Sequence, residues 1–269
     1  MNVAYVTNAW GSVMGHPGGI SSVKDAFYIS TGSNETALHD ISKAGFTKIE
    51  IFDGNLLQYQ NKSDDFLNLL KENGLVLSGV YTAANFIFED ILEEELLKIE
   101  GVVEFANICG AKHLTVGGGA IRTKGRCQTD FALLGKGLDS VSELCDRKGL
   151  IASYHPHMGS LVENDSQIDF VMEKTKMNLC PDLAHIAAAG SDPVKVVEKY
   201  LDRIIHIHLK DYRNGDFCGL GDGTIDIEKV IRMAKNAPHE IDFTVEADGV
   251  AGDSFENAQK AYHFLKGLL

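Results

Sequence analysis

Residues 204–211 read IIHIHLKD, and their alternation sets the frame for the chain. Successive side chains of a strand point to opposite faces, so His206 and His208 share one face while Ile205, Ile207 and Leu209 share the other. Such a strand needs an apolar layer behind it and partners for two imidazoles in front. Further short apolar runs lie at 2–9 (NVAYVTNA), 46–52 (FTKIEIF), 75–82 (LVLSGVYT), 113–117 (HLTVG), 150–155 (LIASYH), 177–182 (MNLCPD) and 241–247 (IDFTVEA), which with 204–210 makes eight. Amphipathic stretches at 34–44, 63–73, 93–109, 130–148, 166–174, 193–200, 227–236 and 254–268 carry apolar residues at three- and four-residue spacing, as helices do. Eight regular strand–helix pairs over 1–269, with no break in composition, predict one domain, a single (β/α)8 TIM barrel of the α/β class, over an open doubly wound sheet.

Local punctuation agrees. Ser63 and Asp192 suit N-caps and Pro193 suits a first helical position, while Gly45, Gly74, Gly110 and Gly149 each follow a helix where a left-handed residue is often required. One long insertion, 11–33, separates the first strand from its helix, and its GHPGG stretch reads as part of a lid or wall because no phosphate-loop pattern accompanies it. The GGG at 117–119 reads as a close backbone approach at a strand end, with phosphate binding the minority reading.

Bulk properties narrow the function classes. A formal charge of −13 with scattered cations argues against nucleic acid and anionic lipid as partners. Five widely spaced cysteines without a CxxC pair read as free thiols in a reducing cytosol. The first ten residues lack the charge pattern of a secretory signal and no run is long enough to span a bilayer, so a cytoplasmic protein with a small-molecule partner is expected. The oligomeric state is not legible, and a homo-oligomer is compatible with everything above.

Metal-ligand residue types crowd the ends of four successive strands: Tyr154-His155-Pro156-His157, Pro181-Asp182-Leu183-Ala184-His185, His206-Ile207-His208-Leu209-Lys210-Asp211 and Val245-Glu246-Ala247-Asp248. All C-terminal strand ends of a barrel face one mouth, where such residues become neighbours and a cation satisfies several at once. Imidazole and carboxylate without thiolate suit one divalent ion, Mn²⁺, Zn²⁺, Co²⁺, Fe²⁺ or Mg²⁺. A vicinal hydroxyl and carbonyl of a substrate can complete its coordination, which makes the neighbouring C–H more acidic. Glu50 near the end of the second strand is read as a hydrogen-bond partner of a substrate hydroxyl or as an inward carboxylate paired with Lys112 or Lys210. Trp10 lines a sugar-stacking wall or fills the mouth. Lys210 and Asp211 are alternatively an ion pair at the rim, and His16 and His113 are structural.

The motifs PDLAH (181–185), RIIHIHLKD (203–211), GLGDGTIDIEKV (219–230) and TVEAD (244–248) resemble the sugar-phosphate isomerase/epimerase group of barrels, also called xylose-isomerase-like, which includes endonuclease IV. The resemblance spans essentially the full length. It implies metal binding by Asp182, His208 and Glu246 and a substrate-facing His185. The fifth strand departs from the sugar epimerases, placing His155 where they have a metal-binding glutamate, so one of the two usual acid/base carboxylates is missing. YHPHMGSLVEN (154–164), HIHLKDYR and GDGTID are similar instead to the inosose dehydratase branch, whereas KIEIFDGN (48–55) is nearer to unassigned isomerase-like members.

These implications give a divalent-metal-dependent sugar isomerase or epimerase that removes an α-proton from a ketose or related polyol, with a lyase that dehydrates a keto-cyclitol as the alternative. Glu246 is the expected base, with His155 or His157 on the opposite face, and His185 or Lys210 the acid for a departing oxygen. His157, His185, Glu50 and Trp10 are the expected substrate contacts. Endonuclease IV-like phosphodiester cleavage is disfavoured because VYTAANF and TVGGG offer no metal-binding histidines at the third and fourth strand ends.

Overall fold

The computed structural model describes residues 2–10, 13–14, 26–83, 85–247 and 249–269. Gly11, Ser12 and 15–25, with the GHPGG stretch and His16, lie outside the described residues, as does Asp248, so the lid or wall reading lies outside them too.

Eight parallel strands form the barrel: β1 (Val3–Val6), β2 (Lys48–Phe52), β3 (Val76–Ala83), β4 (His113–Gly117), β5 (Ile151–His155), β6 (Asn178–Leu179), β7 (His206–Leu209) and β8 (Asp242–Val245). Pairing runs β6-β5-β4-β3-β2-β1-β8-β7. Between β6 and β7 there are two isolated bridges, Leu179 with Ile204 and Asp182 with His208, and the His208 N–H donates to the Pro181 carbonyl at 3.0 Å. The barrel is thus nearly closed, with its last seam thinly bonded.

The helices are α1 (Asn34–Ala44), α2 (Ser63–Glu72), α3 (Leu92–Ile108), α4 (Gln128–Lys148), α5 (Asp165–Met172), α6 (Pro193–Tyr200), α7 (Ile227–Lys235) and α8 (Ser254–Lys266). Each turns an apolar stripe to the strands. On α7 Ile227, Val230, Ile231 and Ala234 are buried at three- and four-residue spacing, and full burial of an isoleucine contributes about 1.5–3 kcal/mol. None of the described helices is long and apolar enough to cross a membrane.

Capping follows the sequence with one exception. Asp192 caps α6 by accepting from the amides of Val194 and Lys195, with Pro193 in the first turn, and Gly45 and Gly149 end α1 and α4 at φ 112° and 80°. Ser63, expected at a cap, is the first residue of α2 instead, because Lys62 holds the cap position and offers no acceptor side chain. The glycines at 117–119 bear out the close approach: a Cβ on Gly117 would lie 1.7 Å from the Tyr81 hydroxyl oxygen. Gly118 already donates its amide to the His155 carbonyl at 3.0 Å, which leaves that N–H no phosphate to hold.

The barrel axis is polar where such barrels are normally packed with branched apolar side chains. His113, Thr115, Ser153, Thr244 and Glu50 are all buried, and the ring of His113 stacks on that of His206 at 4.9 Å. Below them His113 meets Asp242 at 2.8 Å, beside the half-exposed Lys112. These contacts give His113 the structural part the sequence assigned to it.

Candidate metal and active site

Asp182 follows the two-residue strand β6 and immediately turns the chain into a short helix, Leu183–Ala188. Its Oδ1 accepts the amides of Ala184 and His185, each at 2.8 Å, which fixes the carboxylate at the mouth. Oδ2 is buried and has no hydrogen-bond partner among the described residues, with His185 Nε2 standing 3.9 Å away. His155 at the end of β5 is fully buried, and neither of its ring nitrogens has a partner there. A buried polar atom without a partner costs about 1–3 kcal/mol, so one His155 nitrogen and Asp182 Oδ2, whose residues belong to one group of potential ligand atoms, are an unmet demand for a ligand.

His208 on β7 meets Glu246, just beyond β8, through Nδ1 and Oε2 at 2.7 Å. Its other nitrogen meets Glu50 Oε2 of β2 at 3.1 Å. One potential ligand atom from each of His155, Asp182, His208 and Glu246 lies within 4.8 Å of the others. The four strand ends are therefore together, and the donor set of two imidazoles and two carboxylates, with its unpartnered nitrogens and oxygen, fits a divalent cation. Cys180 forms an overlapping group with His155 and His208, and Glu50 does so with His206 and His208.

Burial and charge tune the cluster. Burial, aided by the neighbouring His208, drives the His155 pKa well below its ordinary value, so the ring is neutral at neutral pH and one of its nitrogens keeps a free lone pair. His185 is held down by burial and then by Lys210. Burial alone would depress His208 too, but Cys180, Glu50 and Glu246 together carry it well above the ordinary value. Glu246 stays a carboxylate, because Lys210 and His208 overcome the opposing effect of burial. For Asp182 burial wins and raises the pKa, Lys210 only partly offsetting it. Without a cation, burying these charges is costly.

Around the cluster, Lys210 is fully buried, 3.5 Å from His185 Nε2 and 3.7 Å from Glu246 Oε1. It pairs with Glu246 where the sequence offered Asp211 as a partner. Asp211 instead accepts the amides of Tyr212, Gly221, Gly223 and Ile225 and so folds the GLGDGTID loop. His157 sits at the rim with its ring 3.8 Å from that of His185. Glu50 binds neither Lys112 nor Lys210: it lies beneath the cluster against His208 and 3.5 Å from His206. Trp10 does not join the cluster, since its indole N–H donates to Asp40 of α1 at 2.7 Å and its ring packs edge-on against Tyr5.

Three contributors escaped the sequence reading. Asn8 donates to Glu246 Oε1 at 3.3 Å, Phe217 lies 4.1 Å under the Lys210 ammonium, and Cys180 touches His208. Asn8 and Cys180 carried a usable signal, because a polar residue late in an apolar run points to the mouth as the histidines do. All five cysteines are unpaired. A cavity of about 420 Å³ opens beside the cluster, lined by His157, Tyr28, Asn85, Ser160 and the backbone of Gly117–Gly119. A larger groove of about 510 Å³ lies in the helical layer between Leu92 and Leu144, away from the cluster.

Among curated proteins the chain is similar to an inosose dehydratase of Geobacillus thermodenitrificans, 28% identical over 86% of this chain and 88% of the relative. Among solved structures it is similar to the probable 3-DHS dehydratase AsbF of Bacillus anthracis, at TM-score 0.75 and 16% identity over 99% of both chains. The 3-keto-D-glucoside 4-epimerase of E. coli superposes at TM-score 0.73 and 16% identity, again over 99% of both chains. The family model described as xylose isomerase-like TIM barrel matches residues 38–268, over the same strands that carry the cluster, and the chain belongs to that family.

Proposed function

We propose that this enzyme removes a proton from the carbon next to a carbonyl of a ketose or keto-cyclitol, with one divalent metal ion held by His155, Asp182, His208 and Glu246. The observation behind this reading is the convergence of those four side chains with buried atoms unpartnered in His155 and Asp182. A divalent ion at this place supplies positive charge that acidifies the C–H beside a carbonyl. Glu246, kept ionised by Lys210 and His208, takes the proton. Lys210, 3.7 Å from Glu246 Oε1, orients that carboxylate, and the cavity beside the cluster receives the hydroxyls of the substrate, with His157 at its edge.

Elimination of water is the outcome supported by the donor pair beside the base: Lys210 and His185 stand 3.5 Å apart and deliver a proton to a departing hydroxyl. The inosose dehydratase relatives agree with this choice. Isomerisation or epimerisation, which the sequence favoured, shares the first step and needs a second group to return the proton. His157, in contact with His185, supports that second reading.

The test is an NMR screen of ketoses and inososes in D₂O with protein supplied with Mn²⁺ or Co²⁺. Loss of an α-proton signal is expected, accompanied by a dehydrated product if elimination holds. Absence of exchange across the panel, with no divalent ion retained by the protein, overturns the reading.

A further inference from the structure

We infer that Glu50 is a positioning residue for His208 and not a contact for substrate, an assignment that rests on His208 being a metal ligand. Glu50 is fully buried in β2 against His206 and His208, and it does not line the cavity beside the cluster. A register shift in the pairing of β2 with β3 falls between Ile49 and Glu50, at the point where this carboxylate enters the axis. Its Oε2 stands 3.1 Å from His208 Nε2, while the opposite nitrogen of the same ring stands 2.7 Å from Glu246.

An imidazole can offer a lone pair from Nδ1 while its Nε2 carries the proton, and a carboxylate at Nε2 selects that tautomer and fixes the ring plane. Glu50 thus holds Nδ1 on the side of Glu246. The same three groups, Glu50, His206 and His208, lie close enough to suggest a second ion. His206 argues for the hydrogen-bonded role, since its Nε2 meets the Thr244 hydroxyl at 2.7 Å and its Nδ1 meets the Thr115 hydroxyl at 3.4 Å, leaving neither nitrogen idle.

Two measurements test this. In wild-type protein loaded with Zn²⁺, ¹⁵N NMR of histidine should show His208 protonated at Nε2 with the metal at Nδ1; the reverse tautomer overturns the inference without any substitution. Glu50→Gln keeps the shape and an acceptor but removes the charge. Its affinity for Zn²⁺ and Mn²⁺, from chelator competition, should fall about 10–100-fold while saturation stays at one ion per chain. Unchanged affinity overturns the inference and leaves the metal reading intact, and loss of one of two bound ions replaces it with a second site. Failure of the wild type itself to bind either ion overturns both, and is distinguished by appearing before any variant is made.

Discussion

The rings of His155 and His208 stand side by side with centroids 4.7 Å apart, yet His208 is bonded at both nitrogens while His155 has no hydrogen-bond partner among the described residues. One ring is thus fixed by carboxylates, and the other is held by packing alone among the described residues.

His155→Ala should therefore leave the metal-free protein nearly as stable as wild type, the cavity it opens being offset by relief of two unpartnered nitrogens. Wild type with Mn²⁺ at 100 times Kd gains about 2.7 kcal/mol, and the variant should gain far less at the same concentration. Thermal melts of both proteins with EDTA and with Mn²⁺ decide this. An equal Mn²⁺-dependent rise in Tm in the variant removes His155 from the ligand set.

Asp182 has two duties that substitution separates. Asp182→Asn keeps the oxygen that caps Leu183–Ala188 but loses the charge, whereas Asp182→Ala loses both. Both should release the metal, and only the alanine variant should also lose about 1 kcal/mol from the missing cap. Metal content after gel filtration and urea melts in EDTA report the two effects independently.

Glu246→Gln keeps an oxygen donor, so with Mn²⁺ supplied at saturation it should retain bound metal at lower affinity while slowing α-proton exchange in D₂O by at least ~100-fold, the scale of general base catalysis. Exchange at the wild-type rate would assign the base elsewhere, with His157 next to be tested.

Away from the cluster, Asp53 carries a pH signature. Burial pushes its pKa up to about 6, against hydrogen bonds from Thr82 and the amides of Tyr28 and Gly54. A carboxyl with a raised folded pKa favours the fold while protonated, so its contribution is complete below the unfolded value near 3.8 and is lost as pH rises to about 6. Above that the ionised form costs about 3 kcal/mol. Asp53→Asn should accordingly stabilise the protein at pH 8 by up to that amount and have little effect at pH 3.5. Urea melts at the two pH values check the sign.

The barrel was legible because its signals are local: α1 and α6 match their expected spans, 34–44 and 193–200, where Gly45 and Asp192-Pro193 mark the ends. The run 177–182 was read as a longer strand than Asn178–Leu179, because Pro181 has no amide to donate and Asp182 turns the chain into a helix. The helices Asp53–Leu57 and Leu183–Ala188 are too short to show a period. The hairpin of Asp211–Arg213 with Asp216–Cys218 did carry a signal, Asn214-Gly215, both at positive φ in its turn. The convergence of His155, Asp182, His208 and Glu246 from strands five to eight was legible by their position late in apolar runs. The place of Glu50 was not, since it depends on which side chains from β2 and β7 meet across the axis.

The thinly bonded seam between β6 and β7 has Asp182 and His208 on its two banks, and their backbones make one of its two bridges. A cation gripped by both carboxylate and imidazole, as proposed, would be a rivet through the weakest joint of the wall. Occupancy and integrity of the cylinder would then be one equilibrium, and emptying the centre would loosen the very staves that built it.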